Sequence, residues 1–261
     1  MRAVAVDWSG ARDPAVQRRA IWVAEADDGT LRTLTAGRTR QETLTHLLTV
    51  AGAVTDTVIG LDFSFGFPEW WAHAHGAAGG PDMWRVTADR GEGWLDACAP
   101  PFWGRAGRPR PAAAGPAYRR TELGAAPRPK SIFQIGGAGQ VGTGSIRGMP
   151  GLAELQRAGL PIWPFDPWPA AGPVVVEAYP RWCTGPVVKS RTGARAAHLT
   201  ARWPAVTGTL LDRATASEDA FDAACTALTL SLSAAPAEAC DTLDRIEGRV
   251  FDPRLHTVRP G

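Results

Sequence analysis

The chain reads as an α/β protein, and three features of its first 64 residues carry that prediction. Short apolar runs of strand length recur at residues 2–7, 20–25, 31–35 and 58–62. A helix-period stretch separates the third run from the fourth. The first and fourth runs both end on an aspartate followed by an aromatic residue and a serine: Asp7-Trp8-Ser9 and Asp62-Phe63-Ser64. Three strands, one helix and a returning strand make a crossover unit in which strands one and four are parallel neighbours.

Taken in order, residues 2–7 form the first strand, and residues 9–19 read as a polar loop. Residues 20–25 are the second strand, turned by Asp27-Asp28-Gly29 into the third at 31–35. Thr39 then opens a helix as its N-cap. Glu42 completes a capping box three residues on, Leu44, Leu47, Leu48 and Ala51 recur at helical spacing, and Gly52 lies near the end. The fourth strand, 58–62, follows directly. From about 65 to 130 the periodicity is lost in a stretch dense in Trp, Gly, Pro and Arg, read as an insertion after strand four. Two readings of it are open: a satellite core of tryptophans with solvated arginines, or a surface that contacts phosphates and stacks on bases.

Residues 135–145 contain a literal G-x-G-x-x-G at Gly137, Gly139 and Gly142. A dinucleotide fold requires a strand before it and a helix starting on it. Here the next helix is expected only at 152–158, past Pro150, so the run reads as a loop, with Lys130, Ser131 and Arg147 as candidate phosphate contacts. The fifth strand spans 174–180 and holds Glu177 in its interior, where a carboxylate must be paired, hydrogen-bonded or on a metal. Arg181 beside it is a candidate partner or substrate contact. Residues 183–214 show no strong pattern. Ser217 caps a helix expected over 218–232, its stripe built from Phe221, Cys225, Leu228 and Leu232. Asp219 and Asp222, three apart, share one side of it. The helix dipole accounts for acids in the first turn, and Asp222 lies beyond that turn. Residues 244–251 read as a closing segment.

Composition limits the function classes. A length of 261 residues and 44% hydrophobic content suit one domain with a sizeable insertion. A net charge of +2 gives no global field for polyanions, so any such binding must be local. Four scattered cysteines without a C-x-x-C pair suggest reduced thiols. No run reaches membrane-spanning length, so a cytoplasmic protein without membrane partners is expected. His73 and His75 lack a third metal ligand, no G-x-S-x-G elbow exists, and no cysteine carries a nucleophile signature.

On neighbouring parallel strands, Asp7 and Asp62 would stand roughly 5 Å apart, a spacing that like charges tolerate with help from cations. With Asp219 and Asp222 they form an all-oxygen set suited to Mg²⁺ or Mn²⁺ and to two-metal phosphodiester hydrolysis. The order of elements and acids resembles the RNase H-like fold, and the acids resemble those of RuvC-type resolvases, although position 62 carries Asp where resolvases carry Glu. More narrowly, VAVDWSG (4–10), IGLDFSFGFP (59–68), EAYP (177–180), EDAFDAA (218–224) and EG (247–248) resemble the family called domain of unknown function 429, described as predicted RNase H-like nucleases. That resemblance implies a five-stranded mixed sheet of order 3-2-1-4-5, with strand two antiparallel, flanked by helices. It also implies catalytic roles for Asp7, Asp62, Asp219, Asp222 and Glu177, and a branched or hybrid DNA or RNA substrate. Two alternatives stand beside it: a non-catalytic nucleic-acid-binding module, and an actin-like or sugar-kinase ATPase, which requires a second half that this chain has little room for.

Overall fold

The computed structural model describes residues 1–53, 56–112 and 115–256. Two compact units make up the chain, one from Met1–Asp62, Trp168–Ala237 and Phe251–Gly261, the other from Phe63–Pro167 and Glu238–Val250.

The first unit holds the sheet. Strands β1 (Arg2–Asp7), β2 (Trp22–Asp27), β3 (Thr30–Thr35), β4 (Thr57–Leu61) and β5 (Val174–Glu177) lie in the order β3-β2-β1-β4-β5. β1 pairs antiparallel with β2 and parallel with β4, and β4 is parallel to β5. This is the expected order, and it follows from β-branched and apolar runs that can be buried on both faces. Residues expected to be loop between β1 and β2 include a short helix, α1 (Pro14–Ala20), capped by the Asp13 carboxylate, which accepts from Ala15 N at 2.7 Å. Helix α2 (Arg40–Ala53) makes the crossover. Its capping box is formed by Thr39 N donating to Glu42 Oε2 (2.8 Å) and Glu42 N donating to Thr39 Oγ1 (3.3 Å).

The second unit carries α3 (Glu69–Ala74), α4 (Gly80–Ala97), α5 (Arg120–Leu123), α6 (Gly142–Arg157) and the closing α11 (Thr242–Glu247). Here the sequence expectation needs correction. The 65–130 stretch contains an 18-residue helix, α4, whose buried positions are Gly80, Met83, Trp84, Thr87, Gly91 and Leu95. Gly91 is a contact position: a Cβ there would come within 2.7 Å of Ile146 Cγ2 on α6. α6 starts on Gly142, far before residue 152, and runs through Pro150. Phe67, Trp71, Trp94, Phe102 and Phe133 form an aromatic cluster with ring centroids 5.4–6.4 Å apart. The glycines near the G-x-G-x-x-G serve close packing. A Cβ on Gly136 would meet Gly104 O at 2.4 Å, and one on Gly142 would meet Ile132 O at 2.0 Å.

The remaining helices of the first unit are α7 (Pro180–Thr184), α8 (Thr192–Arg202), α9 (Gly208–Ala216) and α10 (Glu218–Leu230). α8 and α9 occupy the stretch that showed no sequence pattern. α10 is the expected helix, capped by Ser217 Oγ accepting from Ala220 N at 3.0 Å. Its apolar face packs Phe221, Ala224, Cys225 and Leu228 against Ala5, Ala24, Ala26, Leu31 and Leu34 of the sheet. Among the described residues no helix is long and apolar enough to cross a membrane, and the four cysteines are free thiols.

Candidate active site

Strand register positions the two aspartates. Val6 pairs with Leu61 across the parallel β1–β4 ladder, and Asp62 N donates to Val6 O at 3.1 Å. The next residue of each strand is the acid, so Asp7 and Asp62 leave adjacent strand ends side by side. α10 then lies across the face that Ala5 and Gly60 present. Glycine at position 60 lets the helix lie close, because a Cβ there would come within 2.4 Å of Leu230 Cδ1 and force that side chain to move. The Ser217 cap fixes where the helix begins, one turn before Asp222.

Burial and mutual repulsion dominate the electrostatics. Asp7 is 9% exposed, and its pKa is raised well above the usual carboxylate value, first by burial, then by Asp62, Asp222 and Asp219. Burial, then Asp222, then Glu177 and Asp219, push Asp62 up to about 8, against the lowering effect of Lys189. Asp222 and Asp219 are also raised, chiefly by burial. Like charges brought together in a dry site keep their protons or attract a cation.

Lys189 is a cation of this site that the sequence did not signal by any motif. Its Nζ donates to Asp222 Oδ2. Arg195, 4% exposed, holds the Lys189 loop in place: its guanidinium donates to the Lys189 carbonyl and, through Nε at 3.1 Å, to Thr215 O at the end of α9. Tyr179 is a second addition. Its half-buried phenol has a pKa raised by burial and then by the Asp62 charge.

The structure therefore gathers Asp7, Asp62, Asp222 and Asp219. Glu177 differs from them: it is 3% exposed and pairs laterally with Leu61, as Val6 does, so strand alternation places it on the sheet face opposite Asp7. Its charge still reaches Asp62. Arg181 makes no ion pair with Glu177; its Nη1 donates to Val187 O at 3.3 Å. Lys130, Ser131 and Arg147 belong to the second unit. Lys130 is exposed, the buried Ser131 hydroxyl donates to Ala117 O, and Arg147 is forked onto Glu92 at 2.6 and 3.0 Å.

A hard divalent cation fits this donor chemistry. The side chains offer carboxylate oxygens, and Asp222 Oδ1 is buried with no hydrogen-bond donor among the described residues. As the side chains stand, no group of three or more His, Cys, Asp or Glu among the described residues is close enough to hold a metal ion. Comparison of the chain with models of protein families, with curated proteins and with solved structures found no match.

Proposed function

We propose that this chain is a divalent-metal-dependent hydrolase of phosphodiester bonds in structured or hybrid nucleic acid, with Asp7, Asp62, Asp219 and Asp222 holding Mg²⁺ or Mn²⁺. The observation that carries the proposal is the pair of strand-end aspartates close to a third acid on α10: Asp62 and Asp222 raise the pKa of the buried Asp7, and Asp222 raises that of the buried Asp62. Such repulsion is costly to fold unless a cation relieves it.

When bound, the metal supplies an activated water and charge stabilisation at the phosphate. The chain's own residues do the rest. Asp62, with its pKa near 8, holds a proton at neutral pH and releases it when a cation arrives. Lys189 neutralises Asp222 in the metal-free state, so closing the acids on an ion requires Asp222 Oδ2 to give up that ammonium. Freed of Asp222, Lys189 becomes a donor for a phosphate oxygen. Arg181, in no ion pair among the described residues, is the further phosphate contact we propose. Glu177 acts on the site through its charge at Asp62.

The Lys189–Asp222 pair favours a second reading: a nucleic-acid-binding module in which the lysine is the permanent counter-ion and no metal enters. Calorimetric titration with Mn²⁺ decides between them. Wild type is expected to bind and Asp7→Asn to lose binding, with cleavage of labelled branched DNA or RNA–DNA hybrid lost in parallel. Absence of Mn²⁺ binding by wild type sinks the hydrolase, and nucleic-acid binding without cleavage selects the module.

A further inference from the structure

The Lys189 ammonium reaches every acid of the carboxylate site. Nζ donates to Asp222 Oδ2, and its charge offsets part of the rise that burial causes in the pKa of Asp7, Asp62, Asp219 and Asp222. Burial alone would lower the lysine's own pKa; Asp222, then Asp62 and Asp7, hold it above the ordinary lysine value, so the group stays charged. Its backbone is pinned. Arg195 donates to the Lys189 carbonyl and is itself fixed on Thr215 O and Thr192 Oγ1, each at 3.1 Å. Arg181 Nη1 donates to Val187 O at 3.3 Å, and Arg191 N donates to Val188 O at 3.1 Å. The side chain, by contrast, is a flexible four-carbon stem, a quarter exposed to solvent. A change of rotamer therefore moves the ammonium away without opening the loop. Asp222 Oδ1, the other oxygen of the paired carboxylate, is buried with no hydrogen-bond donor among the described residues. The lysine satisfies one oxygen and leaves the other for a further cation.

We infer that Lys189 is a tethered competitor of the divalent cation: its ammonium occupies the carboxylate site until an ion of higher charge displaces it, by a swing of the side chain alone. Lys189 has this role only if the four acids hold a metal, the reading proposed above, and it then governs how the site loads. A site open only while the ammonium is swung out binds metal with an affinity reduced by that open fraction. The tether keeps the ammonium at a high effective concentration, so a monovalent ion of equal charge gains nothing by replacing it. A divalent ion brings twice the charge to the same carboxylates. The lysine thus selects divalent over monovalent cations. A purely structural counter-ion explains the pairing but leaves Asp222 Oδ1 without a donor in a buried site.

Lys130 and Lys189 are the only lysines of the chain, so NMR of lysine-selectively ¹⁵N-labelled protein follows each ammonium separately, and Lys130→Arg assigns the pair. In metal-free wild type the Lys189 ammonium protons should be protected from exchange with water, and those of the exposed Lys130 should not. Saturating Mg²⁺ should abolish the protection of Lys189, whereas K⁺ at the same ionic strength should leave it in place. Calorimetry should find Mn²⁺ bound about tenfold or more tightly by Lys189→Met than by wild type, the factor for an ammonium swung out about a tenth of the time or less. Repulsion without competition would also raise the variant's affinity, but Lys189 would stay protected in Mg²⁺-saturated wild type; that result overturns the inference while the metal site stands. Equal Mn²⁺ affinity of the two proteins overturns it in the same way. Mn²⁺ binding by the variant alone upholds the competitor and sinks the hydrolase reading, and binding by neither protein removes both. The NMR arm uses the wild-type sequence, so it decides the matter even where the methionine variant fails to fold.

Discussion

Replacing Asp62 with asparagine removes one charge from the crowded carboxylates and keeps the side chain's shape, so it isolates what repulsion costs the fold. In the folded chain the Asp62 carboxyl holds its proton up to about pH 8, whereas an unfolded chain releases it near pH 3.9. Between those values the folded state binds more protons, and the unfolding free energy falls as pH rises. The contribution is fully present below the unfolded pKa and lost as pH passes through the folded one. A window of about four pH units at about 1.4 kcal/mol each sets a ceiling of about 6 kcal/mol. Asp7 titrates against the same neighbours, so a proton on either acid relieves the other, and about half that ceiling, ~3 kcal/mol, is the working figure. Metal-free Asp62→Asn should therefore be more stable than wild type by ~3 kcal/mol near pH 8 and nearly equal to it near pH 4. Scanning calorimetry in chelator should show a melting temperature higher by about 6 °C or more at the upper pH. An asparagine variant that gains nothing near pH 8, or gains equally at both pH values, refutes the repulsion argument.

Two further substitutions probe what holds the acids in place. Lys189→Met strips Asp222 of its ammonium at similar side-chain length; with the lysine a quarter exposed, the loss at neutral pH should be about 2 kcal/mol, below the range for fully buried pairs. Urea unfolding should show this loss shrinking in acid, as Asp222 takes up a proton through its raised pKa, and an unshifted midpoint at neutral pH would contradict the pairing. Gly60→Ala drives a methyl into the buried Leu230 side chain, with a Cβ only 2.4 Å from Leu230 Cδ1, and overpacking of this kind costs about 1–3 kcal/mol. Because the same contact sets the spacing of β4 and α10, Mn²⁺ affinity measured by calorimetry should fall with stability; full retention of both would show that the helix shifts freely.

What could be read in the sequence, and what could not, divides along a physical line. The five strands and α10 were legible because their buried positions are apolar and recur with a clear period: Val4, Val6, Ile59 and Leu61 on the strands, Phe221, Cys225 and Leu228 on the helix. α4 was not, because its buried stripe runs through Thr87 and Gly91, and glycine is there to admit Ile146. α8 was hidden in the same way by a buried Arg195. Periodicity reports hydrophobic burial, and these helices bury small or charged groups for contact and clamping. The candidate site splits likewise. Asp7 and Asp62 follow from strand endings, and Asp222 from its distance beyond the helix cap. Lys189 sits in a loop fixed by Arg195, so its approach to Asp222 is a tertiary fact with no local pattern; the one signal was that it is one of two lysines in an arginine-rich chain. Glu177 shows the converse error. Its strand and its burial were both legible, but its face depends on register, and pairing with Leu61 places it across the sheet from Asp7. A count of acids near strand ends therefore overstates the donors on one face, and Lys189 supplies the charge that the count leaves out.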